Sequence, residues 1–305
     1  MDADIAKLFL EKLGTARLSV ILSDLDLKAG RTLTEKAEAL LHHIGQDEDE
    51  LYRLIADGFD SLYHQTMYLR RTDDELLIQA DTSDEMNFEL IPLGAKKWLC
   101  LVPYELQFHV LAEQGGGTTT VWDAPMTVPA RLETGSGRLV LRVLTVRNVA
   151  WDKIFNRPIS RKITNIQTDQ VRDQIFSSLQ SHGFDIGSVL DFSQKAHDVI
   201  ASEEVDTFSG TSVEIRLTDP VGSSTHRTTG TTSGRRPLRT ARFEQFKEVL
   251  DAGQLSMLDI SFNKELHGLL AGTGMVLYPD TGRIRVSSKF EQGDLNEFLE
   301  FLSQV

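Results

Sequence analysis

The chain has 305 residues, 40% hydrophobic and 25% charged, with a formal net charge of −13. That composition suits a globular protein of one large domain or two to three smaller ones. Its longer apolar runs, such as WLCLVPY and RLVLRVLTV, are strand-length and well short of the roughly 20 residues a membrane-spanning helix needs, so no membrane partner is expected. Cys100 is the only cysteine, which excludes an intrachain disulfide and a cysteine-cluster metal site.

The N-terminal stretch MDADIAKLFLEKLG opens with acids and has helical spacing, unlike a signal peptide, and points to a cytoplasmic protein. Ile5, Leu8, Phe9, Leu10 and Leu13 form one apolar face, closed by Gly14. Leu18, Ile21, Leu22 and Leu25 mark a second helix. A third starts at Thr32, where Thr32 and Glu35 have capping-box spacing, and stops at Gly45. A fourth is expected from Asp49 to about Tyr68, with Leu51, Leu54, Ile55, Phe59, Leu62 and Tyr63 turned inward. Together they predict a helical bundle module over residues 1–68.

Within it, Leu18, Leu22, Leu25 and Leu27, then Gly30, Lys36, Leu40 and Leu41, follow an order that resembles the SAP family, a short helix–loop–helix DNA-binding motif. The spacing departs from that family: the lysine lies six positions past the glycine where about two are usual, and the flank GQDEDE is acidic. A plain helical hairpin is the reading kept for this stretch.

Beyond residue 66 the period changes to that of strands. ELLIQA, NFELIPL, KWLCLVPYELQFHVLA and TTTVW are bounded by turn residues, and ARLETGSGRLVLRVLTVRNV predicts a hairpin about Gly135-Ser136-Gly137. Residues 69–165 form a β-rich middle domain in this reading. Helices are expected at TDQVRDQIFSSLQSHG and SVLDFSQKAHDVIASE. In the last hundred residues TSVEIRLTD and LSMLDISF predict strands, while ARFEQFKEVLDAG, KELHGLLAG and DLNEFLEFLSQV predict helices. GMVLYPDTGRIRVSSK predicts a hairpin with Pro279-Asp280-Thr281-Gly282 at its tip. The fold class expected is α+β: a helical N-terminal module, a β-rich middle section, and a mixed α/β C-terminal domain over residues 166–305 with a mainly antiparallel sheet.

The familiar signatures of catalysis and cofactor binding are missing, with no phosphate loop, dinucleotide fingerprint, nucleophile elbow or paired-histidine zinc motif. EQGGGTTT lacks the strand–loop–helix context of a phosphate cradle and suits a hairpin connection. His42 and His43 are neighbours on a helix, about 100° apart, and do not converge on one ion. His182 with Asp185, His197 with Asp198, and the acid pairs Asp24/Asp26 and Asp73/Asp74 suit solvated turns and faces. Cys100, inside an apolar run, suits the core. The expectation is a protein without catalytic residues, cofactor or metal.

Charge is the strongest positive signal. Residues 131–163 carry eight Lys/Arg against two acids, and residues 222–242 carry five arginines and no acid, which leaves −24 on the rest. Arg138 and Arg142 share strand parity, Arg147 lies beyond them, and Lys153, Arg157, Arg161 and Lys162 follow with Trp151 and Phe155 interleaved. Guanidinium forks with aromatics suit a phosphate backbone or unpaired base; alternatively the aromatics are core and the cations cover a strand edge. Residues 222–242, rich in Ser, Thr and Gly, predict a flexible loop whose Arg227, Arg235, Arg236, Arg239 and Arg242 are too poor in apolar company to serve folding. The functional expectation is a non-enzymatic binding protein or complex subunit contacting nucleic-acid phosphates. Its alternative is a protein–protein adaptor engaging an acidic partner, and an enzyme with an unrecognised site is the third reading.

Overall fold

The computed structural model describes residues 3–28, 30–45, 47–59, 65–72, 86–94, 96–111, 119–135, 137–144, 151–155, 166–196, 208–219, 222–229, 254–262, 274–286 and 292–303. The fold is α+β. Four helices come first: α1 (Ala3–Lys12), α2 (Gly14–Asp24), α3 (Leu33–Ile44) and α4 (Glu48–Gly58). Strands β1 (Gln65–Arg71), β2 (Glu89–Gly94), β3 (Lys97–Leu111), β4 (Thr119–Gly135) and β5 (Arg138–Leu144) follow. Then come α5 (Trp151–Ile154), α6 (Thr168–Ser181), β6 (Ser188–Val189), β7 (Phe208–Asp219), β8 (Gly222–Thr229), β9 (Gln254–Phe262), β10 (Gly274–Tyr278), β11 (Arg283–Val286) and α7 (Gln292–Ser303).

Local signals placed most of these elements. The Thr32 hydroxyl accepts from the Glu35 amide at 3.2 Å and the Glu35 carboxylate accepts from the Thr32 amide at 2.9 Å, so the predicted capping box starts α3. The turn between β10 and β11 is a short 3-10 helix at Pro279–Thr281, with Gly282 left-handed at φ 61°.

Three expectations are corrected. The fourth helix does not reach Tyr68. It ends at Gly58, and Gln65–Leu69 are all buried in a strand paired with β11, a burial on both faces that suits a central strand. Ser188–Val189 pair with Arg70 and Arg71 instead of opening a helix, and helical backbone there is confined, among the described residues, to 193–196. Gly222–Thr229, expected to begin a loose loop, forms strand β8, with Asp219 opposite Gly222 and Ser212 opposite Thr229. The backbone ladder to β7 orders this apolar-poor segment. Residues 75–80, 230–250 and 264–272, which carry other predicted elements, lie outside the described residues.

The chain divides into two compact units: Met1–Leu62, Glu75–Gly135 and Leu141–Asp185; and Tyr63–Asp74, Ser136–Val140 and Ile186–Val305. Each draws on more than one of the sequence blocks 1–68, 69–165 and 166–305.

In the first unit Leu10, Leu18, Leu40 and Ile55 bring the inner faces of α1 to α4 together. β2, β3 and β4 are neighbours in that order, and β5 follows. The β3–β4 ladder runs without a bulge from Lys97 opposite Glu133 to Leu111 opposite Thr119. β2 covers the other edge of β3 only as far as Leu101, which faces Glu89. Helix α6 packs against β3, where the Tyr104 hydroxyl donates to Gln170 Oε1 at 2.9 Å and accepts from the Gln167 amide at 3.0 Å.

The second unit is an antiparallel sheet in the order β1, β11, β10, β9, β7, β8, with β6 paired to β1 off that path. Its core includes Met67, Leu258, Leu277 and Ile284, and α7 contributes Phe298, Leu299 and Leu302.

Candidate functional site

The structure separates the two arginines that open the first basic island from any surface role. Arg142 is fully buried and stands 3.3 Å, through Nη2, from Glu133 Oε2. Arg131 is buried beside it, with Nε 2.6 Å from Glu133 Oε1. Both also reach the carboxyl end of α4: Arg131 Nη1 donates to the Ala56 carbonyl at 3.1 Å, and Arg142 Nη1 to the Phe59 carbonyl at 3.5 Å. The last carbonyls of a helix have no partner within it and carry partial negative charge, so two guanidiniums suit that end.

Arg138 is likewise removed from the candidate surface. It is 9% exposed and donates from Nη1 to Ser303 Oγ at 3.1 Å. Burial lowers its pKa, and the nearby Glu300 carboxylate opposes that shift. The expectation that Arg138 and Arg142 offer phosphate contacts is therefore corrected: the strand alternation that gave them a common face did not reveal that both faces of β5 are covered. Arg131 and Glu133 share parity on β4, and that was the signal for a buried pair that the sequence reading passed over.

The aromatics interleaved with these cations, Trp151 buried and Phe155 half-buried, pack in one aromatic cluster. Phe155 lies 5.1 Å from Trp122 and 5.6 Å from Phe108, ring centre to ring centre. These spacings are those of packed aromatic clusters. Lys153 falls on α5, while Arg147, Arg157, Arg161 and Lys162 lie outside the described residues.

In the second basic segment Arg227 occupies β8 at the register position opposite Glu214 of β7. β8 stands at the end of the strand order of its unit. Arg235, Arg236, Arg239 and Arg242 lie outside the described residues.

Among the described residues no group of three or more His, Cys, Asp or Glu side chains could hold a metal ion. His42 and His43 are exposed on α3. His182 Nδ1 is 2.7 Å from the Ser178 carbonyl in the last turn of α6. Cys100 is buried in β3, where desolvation raises its thiol pKa. Among the described residues no helix is long and apolar enough to cross a membrane.

The architecture is that of an α+β protein with two compact units and an arginine-bearing strand at one sheet margin. Compared with known proteins, the chain matches no family model, no curated protein and no solved structure.

Proposed function

We propose that the protein is a non-enzymatic binding protein or complex subunit that captures nucleic-acid phosphates through the arginines of residues 222–242. The observation that carries this reading is the position of β8. It stands last in the strand order of the second unit, bears Arg227, and leads in sequence to Arg235, Arg236, Arg239 and Arg242 with no acid among them. A cationic margin on a chain otherwise so acidic favours a polyanion there and repels it elsewhere, which confines binding to one place. Arg147, Lys153, Arg157, Arg161 and Lys162 remain candidates for a second set of contacts; Arg138 and Arg142 do not, since burial engages them internally.

The test is binding of labelled single- and double-stranded DNA and RNA across a salt series, for the parent and for a variant with Arg235, Arg236, Arg239 and Arg242 replaced by alanine. The expected result is weaker binding and a log–log salt slope flattened by roughly one unit per lost phosphate contact. Unchanged binding in the variant, or no binding by the parent at low salt, overturns the phosphate reading. An adaptor that engages an acidic protein then replaces it.

A further inference from the structure

A groove of about 960 Å³ lies in the first unit between β3 and α6. Its existence follows from where β2 stops. β2 pairs with β3 up to Leu101, opposite Glu89. One step before β2, Phe88 is buried, and the Asn87 amide donates to Ser178 Oγ of α6 at 3.3 Å. The chain leading into β2 is thereby held at α6, and among the described residues the strand that pairs with β3 beyond Leu101 is β4. Pro103, two residues past the last β2 pair, is of the residue type found on strand edges, because it has no N–H to give to a ladder.

The side chains around this edge alternate. Val102, Tyr104, Leu106 and Phe108 are buried, whereas Pro103, Glu105 and Gln107 are exposed. The opposite wall is the exposed face of α6, where Gln167, Gln170 and Gln174 recur at helical spacing with Asp173 among them. Primary amides carry both donors and acceptors, as a peptide backbone does. Gln170 Oε1 is already engaged by the Tyr104 hydroxyl, so its NH2 group is the part left to donate.

Among the described residues that line the groove, the charged ones are Glu105 and Asp173. Arg172, from outside the lining, is shared between two carboxylates, Asp173 at 2.8 Å and Asp169 at 3.0 Å. Asp123, exposed on β4 opposite Gln107, adds a further carboxylate to the same ribbon.

We infer that the groove receives an extended peptide of a partner protein bearing lysine or arginine side chains, laid along residues 102–107 of β3 as an added strand. The main-chain edge supplies backbone hydrogen bonds, the α6 amides supplement them, and Glu105 with Asp173 selects for cations. This site is independent of the arginines of residues 222–242 and stands whether or not those bind nucleic acid.

The probe is a short fluorescein-labelled peptide alternating valine and arginine, with binding to the full chain followed by fluorescence polarisation. Four comparisons decide the matter. The same peptide with glutamate for arginine should not bind. The double variant Glu105→Gln, Asp173→Asn should bind the basic peptide about tenfold or more weakly, while Asp24→Asn, Asp49→Asn, with the same loss of charge on exposed helix positions, should bind as the parent does. Peptides N-methylated at alternate amides in the two possible phases should differ, one phase losing binding and the other keeping it, because an added strand turns every second N–H toward the edge. Equal weakening by both double variants would reduce the effect to net charge and overturn the groove. Equal binding by both methylated peptides would overturn strand addition, and no binding of the basic peptide would overturn the site. Matching thermal melts of the two double variants establish that folding is not the cause.

Discussion

Glu133 of β4 and Arg142 of β5 meet at 3.3 Å in the interior of the first unit, and the same carboxylate holds Arg131 at 2.6 Å. Two buried cations thus share one acid, and they also reach the carbonyls of Ala56 and Phe59. Replacing Glu133 by leucine takes a shared carboxylate away from two desolvated guanidiniums. Breaking such a pair costs about 3–5 kcal/mol, whereas removing all the charges together costs far less. Urea denaturation should show Glu133→Leu strongly destabilised, and Arg131→Met, Glu133→Leu, Arg142→Met less so. A loss below about 1 kcal/mol for Glu133→Leu would show that water reaches the cluster.

Two glycines with positive φ should differ in their tolerance of a methyl group. At Gly45, φ 63°, nothing lies within 4 Å of an added Cβ, so Gly45→Ala should cost only the conformational strain, on the order of 1–3 kcal/mol. At Gly187, φ 69°, the Cβ would fall 1.8 Å from the Arg71 carbonyl oxygen. Backbone must move there, in the segment where Gly187 also accepts from Arg70, and Gly187→Ala should cost about 3 kcal/mol or more. Equal denaturation midpoints for the two variants would contradict this close approach.

Tyr52 should give the folded protein an alkaline limit. Its hydroxyl donates to Glu48 Oε2 at 3.3 Å, and burial, followed by the charges of Glu48 and Glu89, pushes its pKa up to about 12. A phenol titrating near 10 in the unfolded chain then holds its proton more tightly when folded. The resulting stability is complete below about pH 10 and is lost as pH climbs toward about 12. Denaturation curves over that range should fall more steeply for the parent than for Tyr52→Phe. Parallel curves would mean that the phenol is solvated.

Cys100 should be inert until the chain unfolds. It has no exposed surface, and burial raises its thiol pKa, so the reactive thiolate is doubly withheld. Ellman's reagent should detect no thiol in the native protein and one per chain in denaturant. Fast reaction under native conditions would require β3 to open.

How much was legible beforehand follows the range of the interactions concerned. The capping box of Thr32 and Glu35 and the turn at Gly282 involve residues within a few positions of one another, and both were readable. The helical faces of α1 to α3 and the strands β4 and β5 were readable for the same reason. β1 was not, because Met67 and Leu69 continue an apolar pattern that suits a helix until β11 arrives from more than two hundred residues away. The groove was less legible still: Glu105, Gln107 and Asp173 are ordinary polar positions in strand and helix, and only packing places them around one cleft.

The sequence by itself determined the α+β class, the periods of most elements, the turn residues and the uneven distribution of charge, since each is written in neighbouring residues. Tertiary structure decided the fate of the charges. Arg142 and Arg227 both lie on strands in basic stretches, yet Arg142 is sealed against Glu133, whereas Arg227 falls on the strand that ends its sheet. Strand alternation states which side chains share a face; whether that face meets water or another layer of protein depends on residues far along the chain, brought there by burial of the core.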